Sequence, residues 1–501
     1  MLHWVAFVFI GVIAGLIPLH RGERRLVEQL GFALAGSLLG GFLLVRHAPP
    51  SVARYGSLVT SAALAALFPW SIQTGVVHGL HAKLAGWKPS ARLILVSVVT
   101  YGLVACFYTL WLGNQAIPTA SVALMETRHE GIKASLSVLK AGGPPLAGMH
   151  AIQSNGGSRQ VYYPVGVTDD PGIYYYVPIL AYKLGANNPL IVTKWLFIAS
   201  YALLVFVYPL VSYLLFRSYS VALLSPIPLM YQFRQMLFNS DIYWVSAWVQ
   251  LLCLPILFVL AKRWKKHSTL WLFPLMIVAS FASSIRINAG MPVLLAAVLL
   301  ALVKVRNWLP RLGLLLLLVF FYLSIQPLAF NAIRSYRDHV VGDPTLGQRH
   351  PTVHPIWHNV YIGLGYVENS YGIRWDDSVT MAAVKRVDPN AAYLSQEYEA
   401  IARQLVLSMT QKDPAFVARN IIVKFGVVVQ TALQQFWGFL LAFLIALAWG
   451  SERHELRTYA LLTVPGLLLG LLPPILTVPY VQYELGWLGA IGVLWLLGPL
   501  P

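Results

Sequence analysis

The sequence predicts an all-α protein, a polytopic transmembrane helix bundle of about thirteen spans, with two long extracytoplasmic loops that carry surface helices. Charged residues make up only 11% of the 501 residues and hydrophobic residues 57%, whereas soluble proteins are roughly one quarter charged. Several apolar runs, such as Leu26 to Val45 and Ile242 to Ala261, reach the about 20 residues that a helix needs to cross the hydrocarbon core. This composition excludes disordered, fibrous and disulfide-stapled classes.

Thirteen apolar segments are candidate spans. They are Leu2–Leu19, Leu26–Val45, Leu58–His78, Leu93–Leu112, Leu190–Phe216, Val221–Phe238, Ile242–Ala261, Leu270–Ser284, Met291–Val303, Leu312–Phe330, Val427–Trp449, Tyr459–Leu476 and Leu485–Leu497. Met291–Val303 and Leu485–Leu497 are short, and a re-entrant or tilted segment is the alternative for each. The first run lacks a positively charged start, so we expect a retained span and not a cleaved signal peptide.

The distribution of charge predicts which side of the membrane each link occupies. One set of short links holds sixteen Lys and Arg residues and the opposite set holds three, and an excess of cations marks the cytoplasmic side. Both long loops then lie outside, with every acidic residue except Glu23, Glu28, Glu452 and Glu455. The net charge of +17 is therefore a topology signal, and no nucleic acid partner is expected.

Four regions follow from this topology. Residues 1–92 form N-terminal spans, and residues 93–330 form a transmembrane module with a first outer loop at 113–189. Residues 331–426 are a second long outer loop with amphipathic helices, and residues 427–501 are C-terminal spans. The chain has neither a Walker-type phosphate loop nor a dinucleotide fingerprint, which argues against an ATP-driven pump.

An acidic pair, Asp169 and Asp170, lies near the end of the first outer loop, before Pro171 and a tyrosine-rich stretch that begins at Tyr174. One interpretation is structural, with Asp170 as the N-cap of a helix whose first residue is Pro171. The functional interpretation is a general base, because adjacent carboxylates repel and one gains a pKa suited to accepting a proton. A third alternative is that the pair coordinates a divalent cation.

Four charged residues are predicted at or near the outer ends of spans: Lys194, Arg234, Asp241 and Arg286. Charges at membrane depth are costly and usually face a cavity. The structural alternative is that they extend toward the lipid headgroups, which we expect for Lys194. An arginine can also grip a phosphate with two parallel hydrogen bonds, and Asp241 would either pair with Arg234 or act as a second acid.

The second outer loop is rich in histidine. His354 and His358 are four residues apart, but Pro355 argues against a regular helix across the pair. Zinc binding would also need a third ligand. A hydrogen-bonding role, or contact with sugar hydroxyls and phosphate, is therefore favoured over a metal site.

The same loop begins with two more arginines, Arg334 and Arg337. Farther along, Tyr393 to Thr410 has apolar residues on one helical face, which predicts an amphipathic helix. Asp413 and Pro414 then have the form of a cap and first turn of another helix that leads into the next span.

The acidic pair in the first large outer loop, just before a tyrosine-rich amphipathic stretch, resembles the polytopic GT-C glycosyltransferases. This resemblance implies transfer of a sugar from a polyprenyl phosphate to an extracytoplasmic glycan, lipid or protein acceptor, with inversion and with Asp169 or Asp170 as the base. The donor phosphate would be bound by Arg234, Arg286, Arg334 and Arg337. The substrate would also contact Asp241, His354, His358, Tyr174 and Glu368. A divalent cation, Mg²⁺ or Mn²⁺, is an open alternative, and apolar side chains of the spans would hold the prenyl tail.

The expected location is the bacterial inner membrane, with the site facing the periplasm or exterior. The three spans before Leu93 depart from the family pattern, in which the catalytic loop follows the first span, and are interpreted as an addition. A rival resemblance rests on His358-Asn-Val-Tyr361, which is similar to the His-Asn-x-Tyr pattern of O-antigen ligases and polymerases. A secondary transporter or flippase is a third class, although most charges lie at the outer edge and not near the midplane.

Overall fold

The computed structural model describes residues 91–117, 126–154, 157–166, 171–217, 244–342, 356–430 and 454–477, with Ala222, Ser225, Pro226 and Leu229. The predicted spans before residue 91, and Leu485–Leu497, lie outside these ranges. Val221–Phe238 and Val427–Trp449 lie outside them for the most part. The described part is mostly helical.

Fourteen helices and two strands are named below in chain order. They are α1 Ala91–Ala116, α2 Glu126–Lys140, β1 Ala147–Ser154, β2 Gly157–Pro164, α3 Pro171–Lys183, α4 Pro189–Phe216, α5 Trp244–Lys262, α6 Leu272–Ile285, α7 Met291–Lys304, α8 Trp308–Tyr322, α9 Phe330–Val341, α10 Ile356–Leu364, α11 Asp377–Val387, α12 Gln396–Lys412, α13 414–430 and α14 His454–Leu476. A 3₁₀ turn at Lys266–Trp271 precedes α6, and a π-helical turn at Ser324–Ala329 separates α8 from α9.

Four described helices are long and apolar enough to cross a membrane. They are Val96–Gln115, Pro189–Phe216, Trp244–Lys262 and His267–Ile285. Two shorter apolar helices, Met291–Lys304 and Leu461–Pro473, accompany them. The described residues therefore contain four or five candidate spans, at positions where the sequence predicts apolar helices.

The predicted span Leu312–Phe330 is not one straight helix. Trp308–Tyr322 and Pro327–Val341 meet at an angle of 50°, and the backbone between them forms a π-helical turn in which Leu328 N donates to Leu323 O at 3.2 Å. Proline lacks an N–H and clashes with the preceding turn, so Pro327 accounts for the break. If the bent pair is a single span, it is the fifth candidate.

Helix α5 lies at the centre of the described bundle. In the most apolar segment of each helix, 72% of α5 is buried inside the protein, compared with 28% of α1. Helix α1 therefore has much more exposed surface than α5. Helices α6 and α7 approach closely where Gly290 packs on the Ala279 carbonyl. Ser283 accepts a hydrogen bond from Gly290 N at 3.0 Å, and its Oγ lies 2.9 Å from the Tyr322 hydroxyl. These contacts join α6, α7 and α8.

The segment predicted as the first outer loop contains a β-hairpin, which departs from the predicted all-α fold. Strands β1 and β2 pair antiparallel from Ala147↔Pro164 to Ser154↔Gly157. The sequence between the strands is Asn155-Gly156, a dipeptide that favours the tight type I′ turn of hairpins. The sequence thus contains a local signal for the turn, but a hairpin forms only if the two strands also pair in register.

Much of the segment predicted as the second outer loop folds into a helical subdomain, 356–430, with small cores of its own. Tyr361, Leu364, Ile373, Ala383 and Val406 form one core. Val384, Ala391, Tyr398 and Ala402 form the other.

Both helices predicted near the end of this loop are present. The amphipathic helix occupies Gln396–Lys412 in place of Tyr393 to Thr410, because Ser395 Oγ caps its first turn by accepting from Tyr398 N at 3.1 Å. The next helix occupies 414–430, and Asp413 Oδ1 accepts from Phe416 N at 2.9 Å.

Candidate functional site

The residues of the predicted acidic pair, Asp169 and Asp170, lie outside the described residues, as do Arg234, Asp241 and His354. The structure describes Val165 and Gly166 before the acidic segment 167–170, and Pro171 and Gly172 after it. These flanking residues contact three other elements.

The residues before the acidic segment are linked to α9. Val165 N donates to the carbonyl of Leu146 at 2.9 Å, and Arg337 Nη1 donates to the same carbonyl at 3.2 Å. Leu146 has φ of 58°, a left-handed conformation that is uncommon for a non-glycine residue. One carbonyl therefore joins the base of the hairpin to α9.

The residues after the acidic turn pack on the end of α6. Helix α3 begins at Pro171, as the sequence predicts. A Cβ added to Gly172 would lie 2.7 Å from the Ser284 carbonyl oxygen, so the two backbones are in close contact. The Tyr176 hydroxyl lies 3.0 Å from Ser284 Oγ, two residues before Arg286. The start of α3 is therefore beside the element that carries Arg286.

Aromatic contacts bring α9 to the same place. The rings of Tyr175 and Tyr176 lie 5.4 Å and 5.9 Å from that of Phe330, in edge-to-face geometry. Phe330 is the first residue of α9, the helix that carries Arg334 and Arg337. Elements that carry or directly precede three of the four predicted phosphate-binding arginines thus contact the described residues on either side of segment 167–170.

The three arginines differ in their surroundings. Arg337 is 1% exposed, and its Nε and Nη2 donate to Asp338 Oδ1 at 2.8 Å and 2.7 Å. With the bond to Leu146, three of its five N–H groups are engaged, so its observed role is to hold α9 against the base of the hairpin. Arg334, one turn earlier, donates to Asn331 Oδ1 at 3.3 Å. Arg286 directly follows the last residue of α6, and its backbone N–H donates to Ala282 O at 3.0 Å.

Tyr174 and Glu368, both predicted to contact substrate, occupy different environments. The Tyr174 ring packs where Gly131 of α2 and Gly166 leave room for it. The Ser135 hydroxyl donates to the backbone carbonyl of Tyr174 at 3.2 Å. Tyr174 thus fixes α3 against α2 beside the acidic turn. Glu368 is exposed in the connection after α10, within the subdomain 356–430.

His358 belongs to a separate polar cluster inside that subdomain. It is 2% exposed. Its Nδ1 lies 2.9 Å from the Tyr398 hydroxyl and its Nε2 lies 3.2 Å from Asp377 Oδ1. The Glu399 carboxylate accepts from the N–H groups of Trp357 and His358 at 2.9 Å and 3.1 Å, which satisfies the first turn of α10. The cluster joins α10, α11 and α12.

Hydrogen bonding and burial shift several pKa values in this cluster. The hydrogen bond from His358 lowers the pKa of Asp377. Burial raises the pKa of Tyr393 to about 12 and also raises the pKa of Tyr398. With both ring nitrogens of His358 engaged, the arrangement is suited to holding three helices together.

No three His, Cys, Asp or Glu side chains within the described ranges are grouped so that they would hold a metal ion. The Mg²⁺ or Mn²⁺ alternative concerns Asp169 and Asp170, which lie outside those ranges, and it stays a prediction.

Sequence reasoning missed three residues that organise the site: Leu146, Ser284 and Asp338. Leu146 acts through its backbone carbonyl and Ser284 through its carbonyl and its hydroxyl, and nothing in the sequence near either residue indicates these distant contacts. Asp338 follows Arg337 directly, but adjacency in sequence does not reveal that the pair is buried.

Comparison with known proteins adds no relative: no protein-family model matches the chain, and no curated protein or solved structure is detectably similar to it. The chemistry of the site therefore has to be argued from the residues of this chain.

Proposed function

We propose that the protein is an integral membrane glycosyltransferase that moves a sugar from a polyprenyl phosphate to an extracytoplasmic acceptor, with inversion at the anomeric carbon. The membrane would be the bacterial inner membrane and the site would face the periplasm or exterior. The observation that supports this best is that the described residues on either side of segment 167–170 contact α6 and α9, which carry or directly precede Arg286, Arg334 and Arg337.

In the proposed reaction Asp169 or Asp170 takes the proton of an acceptor hydroxyl. The acceptor oxygen then bonds to the anomeric carbon as the bond from that carbon to the donor phosphate oxygen breaks. The polyprenyl phosphate leaves with the bonding electrons, and its negative charge is stabilised by arginines, since guanidinium donors bind phosphate oxygens in pairs. Arg286 and Arg334 are assigned this role, together with Arg234. Arg337 is assigned to positioning.

The base assignment is tested with Asp169→Asn and Asp170→Asn, each assayed for transfer from a polyprenyl-phosphate sugar in proteoliposomes. Loss of a general base typically costs about 10²- to 10⁴-fold in rate, and we expect that loss for one of the two variants. Glu130→Gln, which changes an exposed acid paired with Lys133, is the matched control and should keep full activity. Full activity in both aspartate variants, each correctly folded, would refute the assignment. Loss of sugar transfer by the wild-type protein when a chelator is added would support the alternative that the acidic pair coordinates a divalent cation.

The ligase or polymerase alternative uses His358 as its reactive group. Burial of His358 and its bonds to Tyr398 and Asp377 favour a structural role instead. His358→Gln is therefore compared with the aspartate variants at matched thermal stability. Selective loss of transfer in His358→Gln alone would favour the alternative. Substrate flux into liposomes without a covalent product would favour a transporter.

A further inference from the structure

A cavity of about 390 Å³ lies between surface helix α3 and the candidate spans α4, α5 and α6. Its wall is largely apolar and includes Val177 and Leu180 of α3, Phe197 of α4, Trp248 of α5 and Phe281 of α6. This volume is within the range of about 300–1,000 Å³ found for small-molecule sites. An apolar wall of this size is suited to a hydrocarbon chain.

Two lysines line one end of the cavity. Lys183 is exposed at the last residue of α3, and Lys194 is buried on α4. Lys194 Nζ donates to the carbonyl of Asn114, near the end of α1, at 2.9 Å. An ammonium carries three N–H donors, which leaves capacity for a ligand oxygen. The cavity therefore combines an apolar wall with positive charge at one end, which is complementary to an anionic amphiphile.

The cavity reaches the outer surface of α4. Leu196 lines it and is 37% exposed. Ile191, Trp195 and Leu203 on the same helix are also exposed. Exposed apolar side chains on a spanning helix face lipid, and tryptophan is enriched at the level of the headgroups. The occupant would enter from the bilayer and not from water.

The position of the lysines separates this occupant from the proposed sugar donor. Helix α3 runs from Pro171, next to the acidic turn, to Lys183, and a rise of 1.5 Å per residue puts these ends about 18 Å apart. A donor phosphate has to lie at the acidic turn for its sugar to react there. A headgroup bound by Lys183 and Lys194 is too far away.

We propose that this cavity binds an anionic phospholipid of the surrounding bilayer, with one acyl chain inside it and the phosphate between Lys183 and Lys194. The lipid would support α3, the helix that follows the acidic turn. The inference concerns lipid binding and does not depend on the transferase activity.

The test is native mass spectrometry of the full-length protein in detergent with phosphatidylglycerol or phosphatidylcholine added. Each cation near a lipid surface contributes enough to change binding several-fold, so we expect about tenfold stronger retention of phosphatidylglycerol. Ser200→Phe, which fills the cavity from α4, should abolish that retention. Leu203→Phe on the exposed face of α4 should not change it.

Lys183→Gln provides a second variant, because an exposed side chain is replaced without disturbing the fold. It should reduce the preference for phosphatidylglycerol about fivefold, and Lys133→Gln on α2 should leave it unchanged. Equal retention of the two lipids, or retention unaffected by Ser200→Phe and Lys183→Gln, would overturn the proposal. So would displacement of phosphatidylglycerol by lower concentrations of polyprenyl phosphate, which would assign the cavity to the donor.

Discussion

The ionisation of the Asp377 side chain affects the stability of the folded protein. Its carboxylate is 70% exposed, yet it bonds to the buried ring of His358. This hydrogen bond lowers the pKa of Asp377 below its ordinary value of 3.8. A carboxyl group whose pKa is lower in the folded than in the unfolded state stabilises the fold above the unfolded value, and that contribution is lost as pH falls through the folded value.

We therefore predict that Asp377→Asn destabilises the protein at pH 7 by less than about 1 kcal/mol, the scale of a solvent-screened pair. The difference from wild type should shrink below about pH 4, where the wild-type carboxylate becomes protonated. Thermal unfolding in detergent across this pH range measures it. Glu130→Gln serves as the control, and a difference for Asp377→Asn that persists undiminished at pH 3 would contradict the explanation.

Arg337 and Asp338 form a charged pair in the interior of the protein. The pair is buried, with side-chain exposures of 1% and 12%. Removing one partner of such a pair leaves an uncompensated charge and is far more costly than removing both. Their role in the proposed site is therefore indirect, through the carbonyl of Leu146.

Among the secondary-structure elements, α6 and the start of α7 are in close backbone contact. A Cβ on Gly290 would lie 2.1 Å from the Ala279 carbonyl oxygen, and 2.5 Å from its carbon. Neither atom is part of a flexible side chain, so the backbones would have to separate. Gly313 in α8 is the opposite case, because a Cβ there would meet no atom within 4 Å.

Two alanine substitutions test this contrast. Gly290→Ala should destabilise by about 1–3 kcal/mol, the usual cost of overpacking an interior. Gly313→Ala should stabilise by about 0.5–1 kcal/mol, because glycine is a poor residue within a helix. Chemical denaturation in detergent measures both. Equal shifts of the same sign would contradict the packing of α6 against α7.

At the level of the whole molecule, Lys424 connects the subdomain 356–430 to helix α14. Its buried ammonium donates to Gly363 O at 3.1 Å, Leu476 O at 3.0 Å and Thr477 O at 3.1 Å. The first carbonyl belongs to α10, and the others lie at the end of α14. Asn420 Nδ2 adds a bond to Leu364 O at 2.6 Å. The Lys424 side chain thus binds the ends of both α10 and α14.

Replacing this cation should loosen the subdomain. Lys424→Met would leave three carbonyls without their donor, and unmade bonds of buried groups cost about 1–3 kcal/mol. We expect faster hydrogen exchange in α10 and at the end of α14, measured by mass spectrometry. Lys412→Met, at the exposed end of α12, should not change either rate. Unchanged exchange at both ends in Lys424→Met would show that other contacts hold the subdomain.

Local features of the sequence were sufficient for much of the fold. Long apolar runs predicted α4 and α5, because spanning length is a property of the segment itself. Asp170-Pro171 predicted the start of α3, and Asp413-Pro414 predicted the start of α13, since caps act within one helical turn. The hairpin and the bend at Pro327 had local signals as well, but pairing and packing decided their geometry.

The sequence by itself determined that this is a membrane protein of apolar helices with acidic residues concentrated in two long loops. Only the tertiary structure decided that α3 packs against α6 and α9 and that His358 is enclosed in a separate cluster. Arg337 and Leu146 are separated by 191 residues, and Tyr176 and Ser284 by 108. Contacts at such separations depend on how whole helices pack, and no residue pattern within one segment encodes them.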